Sequence, residues 1–172
     1  MAADERVTRS SFHDLTPLSA PRPMPVLPTR KWTDDQWERI QLGYRSADMD
    51  EKWDVFTEDD VVFLHRSWTG FEIFEAAFVP AEGGGWVIAG AMVESDPERY
   101  GGTSDMRSSL TLELVLSAIV LGEDATDLRT RLVEAAAPTP SSGYSAPPSL
   151  RSASSVRRFT VHSSIDTAPT DP

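Results

Sequence analysis

Four apolar runs in the middle of the chain follow one another closely, and this spacing limits the possible folds. The runs are KWDVFT from Lys52, VVFLHRS from Val61, FEIFEAAFV from Phe71 and WVIAGAMVE from Trp86. Their content of Val, Ile, Phe and Trp is typical of β-strands. The short turns between them can join antiparallel neighbours but not parallel strands, which need long crossovers. The sequence therefore predicts a four-stranded antiparallel meander.

One helix is predicted on each side of this meander. Thr33 and Gln36 have the spacing of a capping box, so the first helix begins there. A second helix begins near Asp105, carries a wide apolar surface and ends near Gly122, and residues 126 to 134 could add a short amphipathic turn or two. We therefore predict an α+β fold in which an N-terminal and a C-terminal helix pack on one face of the sheet.

The distribution of proline and tryptophan marks the limits of the domain. Five of the 13 prolines fall in residues 1 to 30 and six in residues 136 to 172, whereas all five tryptophans lie between these segments. Segments poor in aromatic residues and rich in Pro and Ser cannot bury enough apolar surface to offset their ordering entropy. We predict one domain over residues 31 to 135 and disordered tails over 1 to 30 and 136 to 172. The first tail has no signal-peptide segment, so we expect a cytoplasmic location.

The net charge of the chain belongs to the predicted domain. The whole chain carries a formal charge of -11, and residues 31 to 135 hold 22 acidic and nine basic residues. Nucleic-acid binding through counterion release needs clustered Lys and Arg, which this domain lacks. The longest apolar run also falls short of a membrane span. We therefore expect neither a nucleic-acid nor a membrane partner.

Several chemistries have little or no support in the sequence. Cysteine is absent, which excludes disulfides, thiolate nucleophiles and Cys-ligated metals. His13, His65 and His162 are far apart in sequence, and the acidic clusters lack the glycine-punctuated spacing of a calcium loop. No G-x-S-x-G nucleophile elbow occurs. We expect no metal and no cofactor, and we favour a non-catalytic protein over an enzyme.

The most distinctive string is HRSWTG, residues 65 to 70. Strand alternation directs His65 and Arg66 to opposite faces of the sheet. An arginine at a strand end beside a tryptophan can stack on the ring, contact a phosphate, or pair with one of the many acids. Lys52 and Trp53, at the start of the preceding strand, can approach Arg66. The candidate binding residues are therefore Lys52, Trp53, His65, Arg66 and Trp68.

Aromatic residues are predicted on both faces of the sheet. Alternation places Trp53 and Val55 on one face and Asp54 and Phe56 on the other. If helices cover only one face, the other face is a candidate groove or partner surface.

Two motifs at a characteristic separation carry a family resemblance. With MDEKW at residues 49 to 53 and HRSWTG at residues 65 to 70, the chain resembles a family of small, uncharacterised bacterial domains that pair an M-D-x-K-W segment with an H-R-S-W-T-G segment. Some members are labelled as associated with ADP-ribosylglycohydrolases. That enzyme fold is large, all-helical and built around a dinuclear magnesium site, so the resemblance implies an accessory role. The matching positions are Lys52, Trp53, His65, Arg66, Trp68 and Gly70.

Two functional hypotheses follow. The first is a small, acidic, non-catalytic protein-interaction domain, in the manner of an immunity protein or antitoxin, with a basic protein partner and aromatic contact residues. The second is an accessory protein that binds or processes ADP-ribose or another nucleotide phosphate. In the second hypothesis Arg66 and Lys52 contact phosphate, and Trp68 or Trp53 stacks on the base.

Overall fold

The computed structural model describes residues 5 to 101 and 104 to 136. It contains one antiparallel sheet with the strand order β1-β5-β4-β3-β2. The strands are β1 (Pro21–Pro23), β2 (Trp53–Glu58), β3 (Val61–Arg66), β4 (Glu72–Pro80) and β5 (Trp86–Glu94). Strands β2 to β5 form the predicted meander, so the α+β class with an antiparallel sheet is confirmed. The predicted number of four strands is wrong, because β1 adds a fifth strand at one edge.

Strand β1 comes from the segment that the composition predicts to be disordered. Pro21 lies opposite Glu94 and Pro23 lies opposite Met92 in an antiparallel pair with β5. Proline cannot donate a ladder hydrogen bond, so an edge position is one of the few that suits these residues. The predicted disordered tail is therefore wrong for residues 5 to 30, which lie against the domain. The second predicted tail, from residue 137 onward, lies outside the described residues.

The first helix, α1 (Asp34–Leu42), begins as the capping box predicts. Thr33 N–H donates to Gln36 Oε1 at 2.8 Å, and Gln36 N–H donates to Thr33 Oγ1 at 3.1 Å. The helix ends at Gly43, whose φ of 81° lies in the left-handed region that glycine tolerates.

The later helices follow the sheet in the chain. Helix α2 (Asp105–Leu114) passes directly into a π-helical segment (Val115–Val120), and a third helix, α3 (Thr126–Ala136), packs against α2. The short segment predicted from residue 126 is thus a full helix. No helix among the residues described is long and apolar enough to cross a membrane.

The two faces of the sheet have different covers. We call one the helical face, because its apolar residues form a core with α1, α2 and the π-helical segment; it carries Trp53, Val55, Val62, Leu64 and Phe74. We call the opposite one the N-terminal face, because residues 5 to 20 lie across it; it carries Asp54, Phe56, Phe63, His65 and Glu72.

Candidate functional site

Residues 5 to 20, which we call the N-terminal segment, cover the face that was predicted to be open. Arg9 forms two hydrogen bonds with the carboxylate of Glu58, at 3.1 and 2.9 Å, and its guanidinium lies over the ring of Phe56 at 4.9 Å. Phe12 contributes a second ring, 6.0 Å from Phe56. Thr16 forms a parallel bridge with Phe71. The chain thus occupies most of this face with its own residues.

Two glycines allow the N-terminal segment to approach closely. Gly70 has a φ of 74°, and a Cβ atom there would lie 1.9 Å from the carbonyl oxygen of Asp14. A Cβ atom on Gly43 would lie 2.9 Å from Cβ of Val7. Both approaches are supported by backbone hydrogen bonds, from Thr16 N–H to the Gly70 carbonyl and from Val7 N–H to the Leu42 carbonyl. Gly70 of the HRSWTG string therefore serves backbone packing.

A row of three ionisable residues lies buried on the N-terminal face. Asp54 on β2 is directly opposite His65 on β3, and His65 is opposite Glu72 on β4. His65 is 1% exposed and stacks on Phe56 at 5.4 Å, and within the described part of the chain neither of its ring nitrogens has a hydrogen-bond partner. Glu72 accepts one hydrogen bond from Leu18 N–H at 3.2 Å through Oε2, whereas its Oε1 has no hydrogen-bond partner among the residues that the structure describes.

Burial moves the pKa of His65 and the pKa of Glu72 in opposite directions. Desolvation, together with the positive charge of Arg9, lowers the pKa of His65 from its usual 6.5 to about 4. Desolvation, reinforced by the adjacent Glu75, raises the pKa of Glu72 from 4.5 to about 8. At a pH between about 4 and 8 both side chains are therefore neutral, and burying a neutral group costs less free energy than burying a charged one.

Arg66 lies on the other face and does not contact His65. Its guanidinium stacks over the ring of Trp53 at 4.3 Å, and the two residues are opposite each other on β3 and β2. No carboxylate in the described part of the chain forms an ion pair with Arg66. The predicted guanidinium stack is thus present, but on Trp53 rather than on Trp68. Burial lowers the pKa of Arg66 below its usual value.

The five candidate residues therefore do not form one site. Trp53 belongs to the core of the helical face, and His65 is sealed beneath the N-terminal segment. Lys52 is exposed and immediately precedes Trp53, so alternation directs the two side chains to opposite sides. Trp68 is 66% exposed at the turn between β3 and β4. Only Trp68 borders an open cleft described below.

The main cleft beside Trp68 has a volume of about 420 Å³. One wall is the N-terminal segment, residues 11 to 15, and the rest comes from the loop after α1, from β2 and from the turn after β3. The residues on that side are Arg45, Ser46, Asp54, Ser67, Trp68, Thr69 and Gly70. Asp54 is only 7% exposed and accepts a hydrogen bond from Ser46 N–H at 2.8 Å through Oδ1.

A second cleft adjoins the first and shares Ser46, Ser67 and Trp68 with it. Its remaining lining comes from residues 47 to 49, and Met49 there is 83% exposed. Sequence reasoning did not identify Arg45, Ser46 or Asp54 as site residues. Asp54 was assigned to the correct face, but nothing local indicated that the N-terminal segment would turn that face into a cleft.

The described residues contain no group of three or more His, Cys, Asp or Glu side chains arranged to hold a metal ion. In comparisons with known proteins, no family model, no curated protein and no solved structure matches the chain. The resemblance carried by MDEKW and HRSWTG therefore stays a prediction, and the site must be interpreted from its own chemistry.

Proposed function

We propose that the protein is a small, acidic, non-catalytic protein-interaction domain that binds a basic partner through the surface around Trp68. The observation that carries this proposal is the exposure of Trp68 and Met49 side by side at the two adjoining clefts. Large apolar side chains in contact with water mark interaction surfaces when they adjoin concave, polar surroundings. Tryptophan is also among the residues that most often dominate binding energy.

The charge of this surface supports a basic partner. Asp14 and Asp54 line the main cleft and Asp48 lines the second, whereas the basic side chains in the two linings are those of Arg45 and His13. Complementary charge accelerates encounter and rejects unsuitable partners, while buried aromatic contacts supply affinity. An inhibitor of the immunity or antitoxin kind, bound to a basic toxin, would use a surface of this type.

Site-specific crosslinking in the native host tests this proposal. A photoreactive phenylalanine analogue replaces Trp68 in one variant and Val133 on α3, which is 70% exposed, in a matched control. We expect a crosslinked protein at position 68 only, with a yield that falls as salt is raised. The same products at both positions, or none at position 68, would contradict the proposal.

A second candidate, binding of ADP-ribose or another nucleotide phosphate, is favoured by the guanidinium of Arg66, which forms no ion pair with a carboxylate of the described residues. This side chain is half-buried on Trp53 and has donors available for an anion. A ligand that binds only the folded state must raise its melting temperature. ADP-ribose should therefore raise the melting temperature of the native chain but not of R66A. Equal shifts, or none at millimolar ligand, would leave the interaction domain as the better account.

A further inference from the structure

The main cleft contains a buried carboxylate that is only half satisfied. Asp54 is more than nine-tenths buried, and the one hydrogen bond to its side chain in the described residues is that from Ser46 N–H to Oδ1. Burying a carboxylate is costly unless its oxygens are paired or hydrogen-bonded. Asp54 and Ser46 both line the cleft, so a guest in the cleft can supply the missing donor.

The walls of the cleft suit an elongated side chain with a polar end. The exposed ring of Trp68 lines the cleft together with Ser67 and Thr69, whose hydroxyl groups already form hydrogen bonds with backbone atoms of Glu51 and Phe71. A volume of about 420 Å³ lies within the range of small-molecule pockets. An aromatic face attracts a cation within about 6 Å of its centre, and the buried carboxylate of Asp54 in the lining of the same cleft provides the counter-ion.

We infer that the cleft binds one arginine or lysine side chain of the partner, with Asp54 as its counter-ion and Trp68 as the wall along which it lies. The inference rests on the proposed function and specifies which chemical group of the partner enters. Arginine fits best, because its planar guanidinium can both stack on the indole ring and donate to a carboxylate. The alternative guest is an anion held by Arg45, which is exposed at the same cleft.

Small probes distinguish these two guests without the partner. The native chain is titrated with Nα-acetylarginine amide, with the neutral isostere Nα-acetylcitrulline amide, and with Nα-acetylglutamate amide. Backbone amide signals of Ser46 and Ser67 and the indole N–H signal of Trp68, assigned from W68F, are followed by NMR. We expect saturable shifts with the arginine probe and none with the other two. Shifts of equal size with the citrulline probe would overturn the inference.

Two variants should change the affinity for the arginine probe in opposite directions. D54N keeps the acceptor for Ser46 N–H but removes the negative charge, so the affinity for the arginine probe should fall about tenfold. R45A removes a competing positive charge, so the affinity for the arginine probe should rise. If R45A weakens binding, or if folded D54N binds as the native chain does, Asp54 is not the counter-ion. Should D54N fail to fold, R45A and the citrulline probe still decide.

The outcomes for the cleft and for the proposed function are separable. If a partner crosslinks at position 68 while the arginine probe does not bind, the interaction surface stands and the cationic guest is rejected. If the probe binds through Asp54 but no partner crosslinks, the cleft is a cation site in a protein whose proposed function is wrong.

Discussion

The two faces of the same sheet are covered in different ways. On the helical face, Leu64 and Phe74 are completely buried among apolar residues of regular helices. On the N-terminal face, buried His65 and Glu72 lie beneath the N-terminal segment, which contains the short 3₁₀ helix Arg9–Ser11. Among the described residues, both faces contain buried polar atoms without hydrogen-bond partners, but on the helical face these are the neutral Trp32 Nε1 and Tyr100 Oη, whereas on the N-terminal face they belong to the ionisable side chains of His65 and Glu72. Because burying an ionisable group is more costly than burying a neutral one, we expect the cover of the N-terminal face, which also forms a wall of the cleft, to open more easily than that of the helical face.

Truncating one aromatic residue on each face should reveal this difference. Phe74→Ala removes a ring that contacts both Trp53 and Tyr100, and its loss should cost about 3–5 kcal/mol of unfolding free energy. Phe12→Ala removes a half-buried ring and should cost roughly 1 kcal/mol. Urea unfolding of both variants measures the two values. Equal losses would show that the N-terminal face is as important for stability as the helical face.

A methyl group at Gly70 should displace the N-terminal segment. The substitution Gly70→Ala combines an unfavourable φ with a collision against the Asp14 carbonyl, and roughly 3 kcal/mol is expected. Gly122→Ala is the matched control, because Gly122 also has a positive φ of 71° but a Cβ atom there would meet nothing within 4 Å. Hydrogen exchange should increase over residues 11 to 16 in G70A only. Unchanged exchange there would contradict the close approach.

The buried side chains of Glu72 and His65 should make the free energy of unfolding depend on pH. Because the pKa of Glu72 is raised from 4.5 to about 8, the folded state keeps a proton that the unfolded chain releases, and stability falls as pH rises through this window. The lowered pKa of His65 makes stability rise with pH between about 4 and 6.5. The two effects offset each other from pH 4.5 to 6.5. Between pH 6.5 and 8 only Glu72 contributes, and the free energy of unfolding should fall by about 2 kcal/mol.

The variant E72Q tests this assignment, since an amide does not titrate. Urea midpoints at pH 6.5 and pH 8 should differ in the native chain and in E134Q, whose exposed carboxylate on α3 serves as control. They should coincide in E72Q. A loss that persists in E72Q would place the titrating group elsewhere.

Local sequence signals predicted the meander and α1, because strand composition, turn length and the Thr33 capping box act between neighbours in the chain. They failed for β1 and the rest of residues 5 to 30. Composition describes what a segment can bury alone, and this segment is ordered by a surface supplied from elsewhere. Met24, for example, is buried against that surface. The one local sign of its path was glycine at positions 43 and 70, where the backbone leaves room for a crossing chain.

The sequence by itself determined the four long strands, the helix starts, the absence of cysteine chemistry and the acidic charge of the domain. It also determined that His65 and Arg66 point to opposite faces, because alternation along a strand is a local geometric rule. Only the tertiary structure decided that the N-terminal segment covers the second face, that Arg66 stacks on Trp53, and that Asp54 opens into a cleft beside Trp68. These outcomes depend on contacts between residues distant in the chain, which no local pattern specifies.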